Sequence, residues 1–250
     1  MCSGPVRLDV GQLGSGQPDR GQLVCERGHR FDIARQGYVN LVAGRPGPGT
    51  GDTAEMVAAR EDFLGRGHYR PLATAIAALA KGAAGDGLVV DLAGGTGYYL
   101  AFVLDSLAGL SMAGRYGVCL DLSAPALRRA ARAHPRAAAV GADAWGSLPL
   151  ADRSAGLLLS VFGPRNAAEI TRVLAPGGTL IIAAPGADHL GELREPLGLI
   201  GIDDDKSRRI ADAFGGYEAI GGSDGAGGSD GTDVRFEMRL GHDDIAALVG

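Results

Sequence analysis

Two clusters in this chain have the residue types and spacing that chemistry needs. The first is "VVDLAGGTGYYL", which holds Asp91-x-x-Gly94-Gly95-x-Gly97 followed by Tyr98. An acid ending an apolar run, then closely spaced glycines, then helix-forming residues, describes a strand, a tight turn and a helix. Glycines let backbone approach a ligand, and the turn aims N–H groups at it. The spacing differs from the dinucleotide fingerprint G-x-G-x-x-G and fits a class I S-adenosyl-L-methionine site, with Ala93 standing where a first glycine is common. Asp121 and Asp143 follow later apolar runs. A carboxylate at the first position can accept two ribose hydroxyl hydrogens, and one at the second can face an adenine amine. Each acid alone reads equally well as a helix cap or a solvated loop residue; the three in order, each at the end of a strand, point to one cofactor.

The second cluster is Cys25-x-x-x-His29 in "CERGHRFDIARQGYVNL". This spacing offers two ligands from a short knuckle, whereas structural zinc takes four. Nearby "VRLDVGQL" has Leu8 and Gly11 where a C-x-x-C half would stand, and Cys2 is the other thiol within reach on a longer loop. Zinc is therefore expected to be absent or loosely bound.

The elements that must position these groups follow from punctuation and periodicity. Residues 1–43 are Gly-rich and short-stranded and form a small knuckle-like module. "AGRPGPGTGD" is a linker, because Pro and Gly at that density cannot continue a regular element. Residues 44–82 comprise it and two helices, one capped by Asp52 or Thr53 and ending near Leu64, the other running from Tyr69 to Lys81 with Pro71 in its first turn. Residues 83–250 alternate short apolar strands ("LVVDLA", "YGVCLDL", "AAAVGAD", "AGLLLSVF", "GTLIIAAP") with helical stretches. That pattern gives an α/β fold, a Rossmann-like and mostly parallel sheet with right-handed crossovers. "GGSDGAGGSDG" reads as a surface loop, "TDVRFEMRL" as a strand and "HDDIAALVG" as a last helix.

Net charge is −5, which does not advertise a nucleic-acid binder. Residues 1–50 carry six Arg against four acids, about +2, so the remainder carries about −7. Three unevenly placed cysteines suggest no disulfide framework and make a reducing cytoplasm the default. No apolar run reaches the roughly 18 residues of a membrane span, and no secretory leader is legible.

The cluster of acids and glycines reads as a methyltransferase site. An Asn/Asp-Pro-Pro-Tyr motif for exocyclic amines is missing; after the fourth strand stands "VFGPRN". Cytosine C5 chemistry needs a cysteine nucleophile, and Cys119 lies inside a strand. Ring nitrogens, oxygens and small-molecule acceptors remain.

The strings "GHRFDIARQGYVNL", "GDTAEMVAAREDFLGRGHYRPL", "DLAGGTGYYL" and "VFGPRNAAEITRVLAPGGTLIIAAPGADHLGEL" together resemble the bacterial 23S rRNA (guanine-N1)-methyltransferases of the RlmA/TlrB type. The resemblance spans nearly the whole chain, and "RRAARAHPRAAAV" brings it nearest to the macrolide-resistance branch. It implies methylation of a guanine in a 23S rRNA domain II hairpin beside the peptide exit tunnel, resistance to tylosin-like macrolides, and a homodimer. It also implies cofactor contacts by Tyr69, Gly97, Tyr98 and His189, beside the Gly95 of the turn itself, and a zinc knuckle that grips RNA. Family relatives are expected to continue past "DDIAALVG" into a segment that returns a last strand to the sheet. Asn166 and Arg165 are candidates to position the acceptor, Asp188 is a candidate base, and Phe31, Tyr38 and Trp145 are candidate faces for splayed bases. A metabolite methyltransferase and a catalytically silent binding protein stay open as other readings.

Overall fold

The computed structural model describes residues 6–9, 21–42, 52–83, 85–108, 114–197, 206–218 and 232–249. Most of the linker at 43–52, the loop at 221–231, Cys2 and Gly11 lie outside them.

The leading segment folds as a three-stranded antiparallel sheet of β1 (Val6–Asp9), β2 (Gln22–Cys25) and β3 (Arg30–Asp32). The β2–β3 connection is the Cys-to-His knuckle, closed by Cys25 N–H donating to the His29 carbonyl at 3.1 Å and turning at Gly28 with φ +80°. The next strand, β4 (Val39–Asn40), leaves this sheet and pairs in parallel with β7 (Ala137–Gly141). The segment read as a separate module thus ends as the edge of the main sheet.

That main sheet has six parallel strands. Besides β4 and β7 they are β5 (Leu88–Leu92), β6 (Gly117–Asp121), β8 (Ala155–Val161) and β9 (Leu174–Ala183), in the order β4-β7-β6-β5-β8-β9. Strand order therefore reverses at β5, where a ligand crevice is expected outside the carboxyl ends. Burial on both faces explains the unbroken apolar runs: Leu157, Leu158 and Leu159 are all fully buried, each contributing about 1.5–3 kcal/mol of transfer free energy. Alternate residues serve two cores. Val89, Cys119, Leu157 and Leu159 face α2 (Arg70–Lys81), α3 (Tyr98–Ser106) and α4 (Ala124–Ala133). Val90, Leu92, Leu120 and Leu158 face α5 (Ala167–Val173).

Capping set the helix starts. Thr53, rather than Asp52, caps α1 (Ala54–Gly65) through a bond from the Met56 N–H. Ser123 caps α4 ahead of Pro125, and Asn166 caps α5. Two short helices, α6 (Gly191–Leu197) and α7 (Lys206–Ala213), come after β9. The expected strand at "TDVRFEMRL" is not formed. Val234, Phe236, Met238 and Leu240 pack against the α2/α3 core while the intervening residues are exposed, but no ladder partner is present among the described residues. Period-two burial defines an extended half-buried chain; a strand also needs backbone pairing. The last described element is α8 (His242–Val249). Among the described residues no helix is long and apolar enough to cross a membrane.

Candidate functional site

A cleft of about 630 Å³ opens at the carboxyl ends of β5, β6, β7 and β8. Its floor is the turn after β5. Ala93 and Gly95 adopt left-handed conformations (φ 55° and 56°) and Gly97, at φ 77°, is the N-cap of α3. For Ala93 that conformation costs about 1 kcal/mol, and Phe162 holds a similar φ of 56° in the facing turn after β8. Both residues line the cleft, so the backbone strain is concentrated at the crevice.

Asp91 is 1% exposed, and both of its carboxylate oxygens lack a hydrogen-bond partner. Burial first, and the neighbouring Asp121 charge second, push it up to about 7; the Leu100 amide opposes this only weakly. An orphaned buried carboxylate at the cleft floor suits a cationic ligand group. Asp121 accepts the Gly95 N–H at 2.9 Å and the Ser123 N–H at 2.8 Å. These two bonds hold the carboxylate in place and leave lone pairs free for hydroxyl donors. Burial raises its pKa, countered by those same amides. Asp143 is exposed, accepts the Trp145 N–H at 2.9 Å and lines the third corner.

Of the candidate cofactor contacts, Tyr69, Asp91, Gly95, Tyr98, Asp121 and Asp143 line this one cleft. Gly97 lies beneath it: an added Cβ there would sit 3.1 Å from Ala133 Cβ, so the glycine lets α3 approach α4. His189 stands behind Tyr69, its Nε2 3.2 Å from the tyrosine hydroxyl. Burial, aided by Arg194, lowers the His189 pKa and favours the neutral ring, while burial pushes the Tyr69 hydroxyl up to about 12. Phe162 meets Tyr69 edge-on at 5.9 Å, completing an aromatic wall.

Asn166 and Asp188 are not brought to the cleft lining. Asn166 accepts the Glu169 N–H as helix cap and donates to the Trp145 carbonyl at 2.9 Å, tying the β7 and β8 loops together. Asp188 is exposed and paired with Arg235; its own backbone amide, then Arg235, hold its pKa below the usual carboxylate range. Arg165 has a buried guanidinium nitrogen without a partner. Of the candidate base faces, Phe31 lies in β3 and Tyr38 packs on the core. Trp145 is 66% exposed and on the cleft rim. Cys119 is fully buried, which pushes its thiol well above the ordinary range, so it is not a nucleophile.

The sequence reading missed the roof. Met56, Arg60 and Phe63 of α1 and Ala247 and Leu248 of α8 close the cleft from above. Asp244 fastens α8 by accepting from Arg66 and lying 3.0 Å from His68 Nε2. Arg60 pairs with Asp52, whose carbonyl accepts the Ser123 hydroxyl at 2.9 Å. The Asp121 loop is thereby fixed to the helix above it. No fixed-spacing motif marks such contacts between distant segments.

The knuckle presents half a zinc site. Cys25 Sγ lies 3.4 Å from His29 Nδ1, close to the ~3.5 Å edge that tetrahedral zinc with ~2.3 Å sulfur and ~2.0 Å nitrogen bonds would need. Leu8, in register opposite Leu23, is exposed and apolar. Among the described residues no group of three or more metal donors exists, and Cys2, the third candidate ligand, lies outside them.

The family profile described as RlmA, N-terminal, a zinc-ribbon profile, matches residues 15–43. A Streptomyces fradiae protein named 23S rRNA (guanine(748)-N(1))-methyltransferase is 47% identical over 252 aligned positions, covering 99% of this chain and 81% of its own. A Micromonospora griseorubida protein bearing the name of a 23S rRNA (guanine-N(1)-)-methyltransferase is 52% identical over 206, covering 76% of this chain and 68% of its own. The similarly named YxjB of Bacillus subtilis is 36% identical over 180, covering 69% and 61%.

Proposed function

The chain belongs to the 23S rRNA (guanine-N1)-methyltransferases, and from that premise we propose that its cleft holds S-adenosyl-L-methionine and serves N1 of the 23S rRNA guanine equivalent to position 748. The observation that carries this is the convergence of Asp91, Gly95, Asp121 and Asp143 on one cleft at the strand-order reversal.

When bound, the cofactor supplies an electrophilic methyl group on a sulfonium. Asp121 would accept hydrogen bonds from the ribose hydroxyls, Asp143 would accept one from the adenine amine, and Asp91 would meet the cationic end. Tyr69, oriented by His189, and Phe162 wall off water beside the reacting atoms. The chain's main contribution is proximity and orientation. N1 of guanine carries a proton that must leave as the N–CH₃ bond forms. Asp188, exposed, paired with Arg235 and outside the cleft lining, is not placed to take that proton. Asn166 acts as a positioning residue through Trp145. An rRNA substrate puts the enzyme in the cytoplasm; we extend the reading to a homodimer and to resistance against tylosin-like macrolides.

The test is methyl transfer from labelled cofactor to unmodified 23S rRNA, read by reverse-transcription stops, since a methyl on the pairing edge blocks copying. A stop at the single equivalent guanine is expected. Label in other nucleotides, or only in small molecules, would overturn the assignment.

Trp145 is the only tryptophan and lies two residues past Asp143. Titration with S-adenosylhomocysteine is therefore expected to change the intrinsic emission saturably. Trp145→Phe should abolish the signal without abolishing binding measured by calorimetry. Emission indifferent to saturating ligand would remove Trp145 from the cofactor edge.

A further inference from the structure

We propose that the seam between the leading segment and α4 is a phosphate-binding track, formed by Arg35, Arg128 and Arg132, for the backbone of the RNA substrate. The inference rests on the rRNA reading above and concerns where that RNA is held.

Arg35 sits in a tight turn closed by two bonds, Ala34 N–H to Tyr38 O and Gly37 N–H to Ala34 O, both 2.8 Å. That turn lies on α4: a Cβ added to Gly37 would be 3.7 Å from Ala131 Cβ. Arg128, Ala131 and Arg132 are spaced i, i+3, i+4, so they share one helix face. The turn carrying one arginine is thus seated on the face carrying the other two. All three are exposed, and none meets a carboxylate among the described residues.

The chain holds 29 acids against 24 Lys and Arg. Arg30, Arg60, Arg66, Arg115, Arg129, Arg172 and Arg235 all have acidic partners. Arg129 on the same helix, turned toward α1, pairs with Glu61 at 2.6 Å. Three guanidiniums left unpaired at one seam repel one another and attract an anion that offers several charges in a row. A phosphodiester backbone does so, and arginine suits phosphate through its planar fork. Ser123 at the start of α4 is bonded to Asp52 of the cleft, so the helix runs from the cleft edge to the seam. An RNA whose backbone tracks the seam therefore extends toward the cleft mouth.

Counterion release makes this measurable. Binding of an unmodified 23S rRNA fragment spanning the target guanine would be measured against salt for the full chain and for an Arg35→Gln/Arg128→Gln/Arg132→Gln variant. The slope of log K against log salt should shrink by about 2–3, roughly one for each phosphate no longer held. Affinity at 0.1 M salt should fall by about 10- to 100-fold, with cofactor affinity and melting temperature unchanged. Arg→Lys at the same positions should keep most of the slope, and Lys81→Gln on α2 should leave it intact. An unaltered slope in the triple Gln variant, or an equal drop in Lys81→Gln, would overturn the track. Wild-type chain that binds the fragment salt-dependently but methylates nothing would instead overturn the assigned reaction and leave the track standing.

Discussion

Asp91→Asn is expected to stabilise the ligand-free chain above pH 7 and, in the same molecule, to weaken cofactor binding. The carboxyl titrates near 3.8 when exposed and at about 7 in the fold, chiefly because burial penalises its charged form. Between those values the folded state binds the extra proton, so stability falls as pH rises from about 4 to about 7 and stays low beyond. Three units at about 1.4 kcal/mol each set an upper bound of about 4 kcal/mol. The Asn amide is uncharged but equally unpartnered, so the net gain is about 1–3 kcal/mol at pH 8, vanishing toward pH 4. Urea unfolding across that range checks it; a gain that ignores pH would refute the buried-charge origin. Cofactor affinity should drop about 10- to 100-fold, the value of one charge-assisted hydrogen bond. On the proposed reading, the acid that weakens the empty site is the one that would meet the cationic end of the cofactor.

Gly94→Ala should abolish cofactor binding while leaving a folded, weakened chain. A Cβ at this position would lie 2.6 Å from Asp91 Cγ and Oδ2 and 2.8 Å from Cys119 Sγ. The backbone cannot retreat freely, since the Gly94 N–H donates to the Leu120 carbonyl at 3.1 Å. Asp91 must turn, at an overpacking cost of about 1–3 kcal/mol, and its turning removes the carboxylate from the ligand. Calorimetry should show affinity reduced by more than about 100-fold. Gly95→Ala is the contrast: its Cβ would meet only Arg60 Nη1 at 4.0 Å, so backbone strain of about 1 kcal/mol is the main penalty. Cys119→Ala added to Gly94→Ala removes one of the two collisions and should restore stability more than binding. Equal binding by Gly94→Ala and the wild type would show that Asp91 does not contact the cofactor.

The sheet and the floor of the site were legible in the sequence because each depends on short-range patterning. "VVDLAGGTG" encodes strand, turn and approach distance within nine residues, and the acids at 121 and 143 are placed by the strands they end. The roof was not legible: Arg66 and His68 find Asp244 across more than 170 residues, and no local rule records that pairing. Asn166 illustrates a subtler limit. Its position after β8 suggested a hand on the acceptor, whereas both ends of its amide are engaged as cap and tether. Residues 232–240 carried the alternation of a strand, and the alternation was real, but pairing is a property of a neighbour and not of the segment.

The handover at β4 has a consequence for how such a protein can be rearranged. The leading segment does not hang from a tether; its final residues are the outermost strand of the catalytic sheet, in register with Val140 and Gly141. A cassette exchange that cut before β4 would keep the sheet whole, whereas one that cut after it would strip the edge from β7 and expose a row of unpaired backbone groups. The leading segment and the main sheet are therefore continuous, and a graft that replaces the front end must leave Val39 and Asn40 in place.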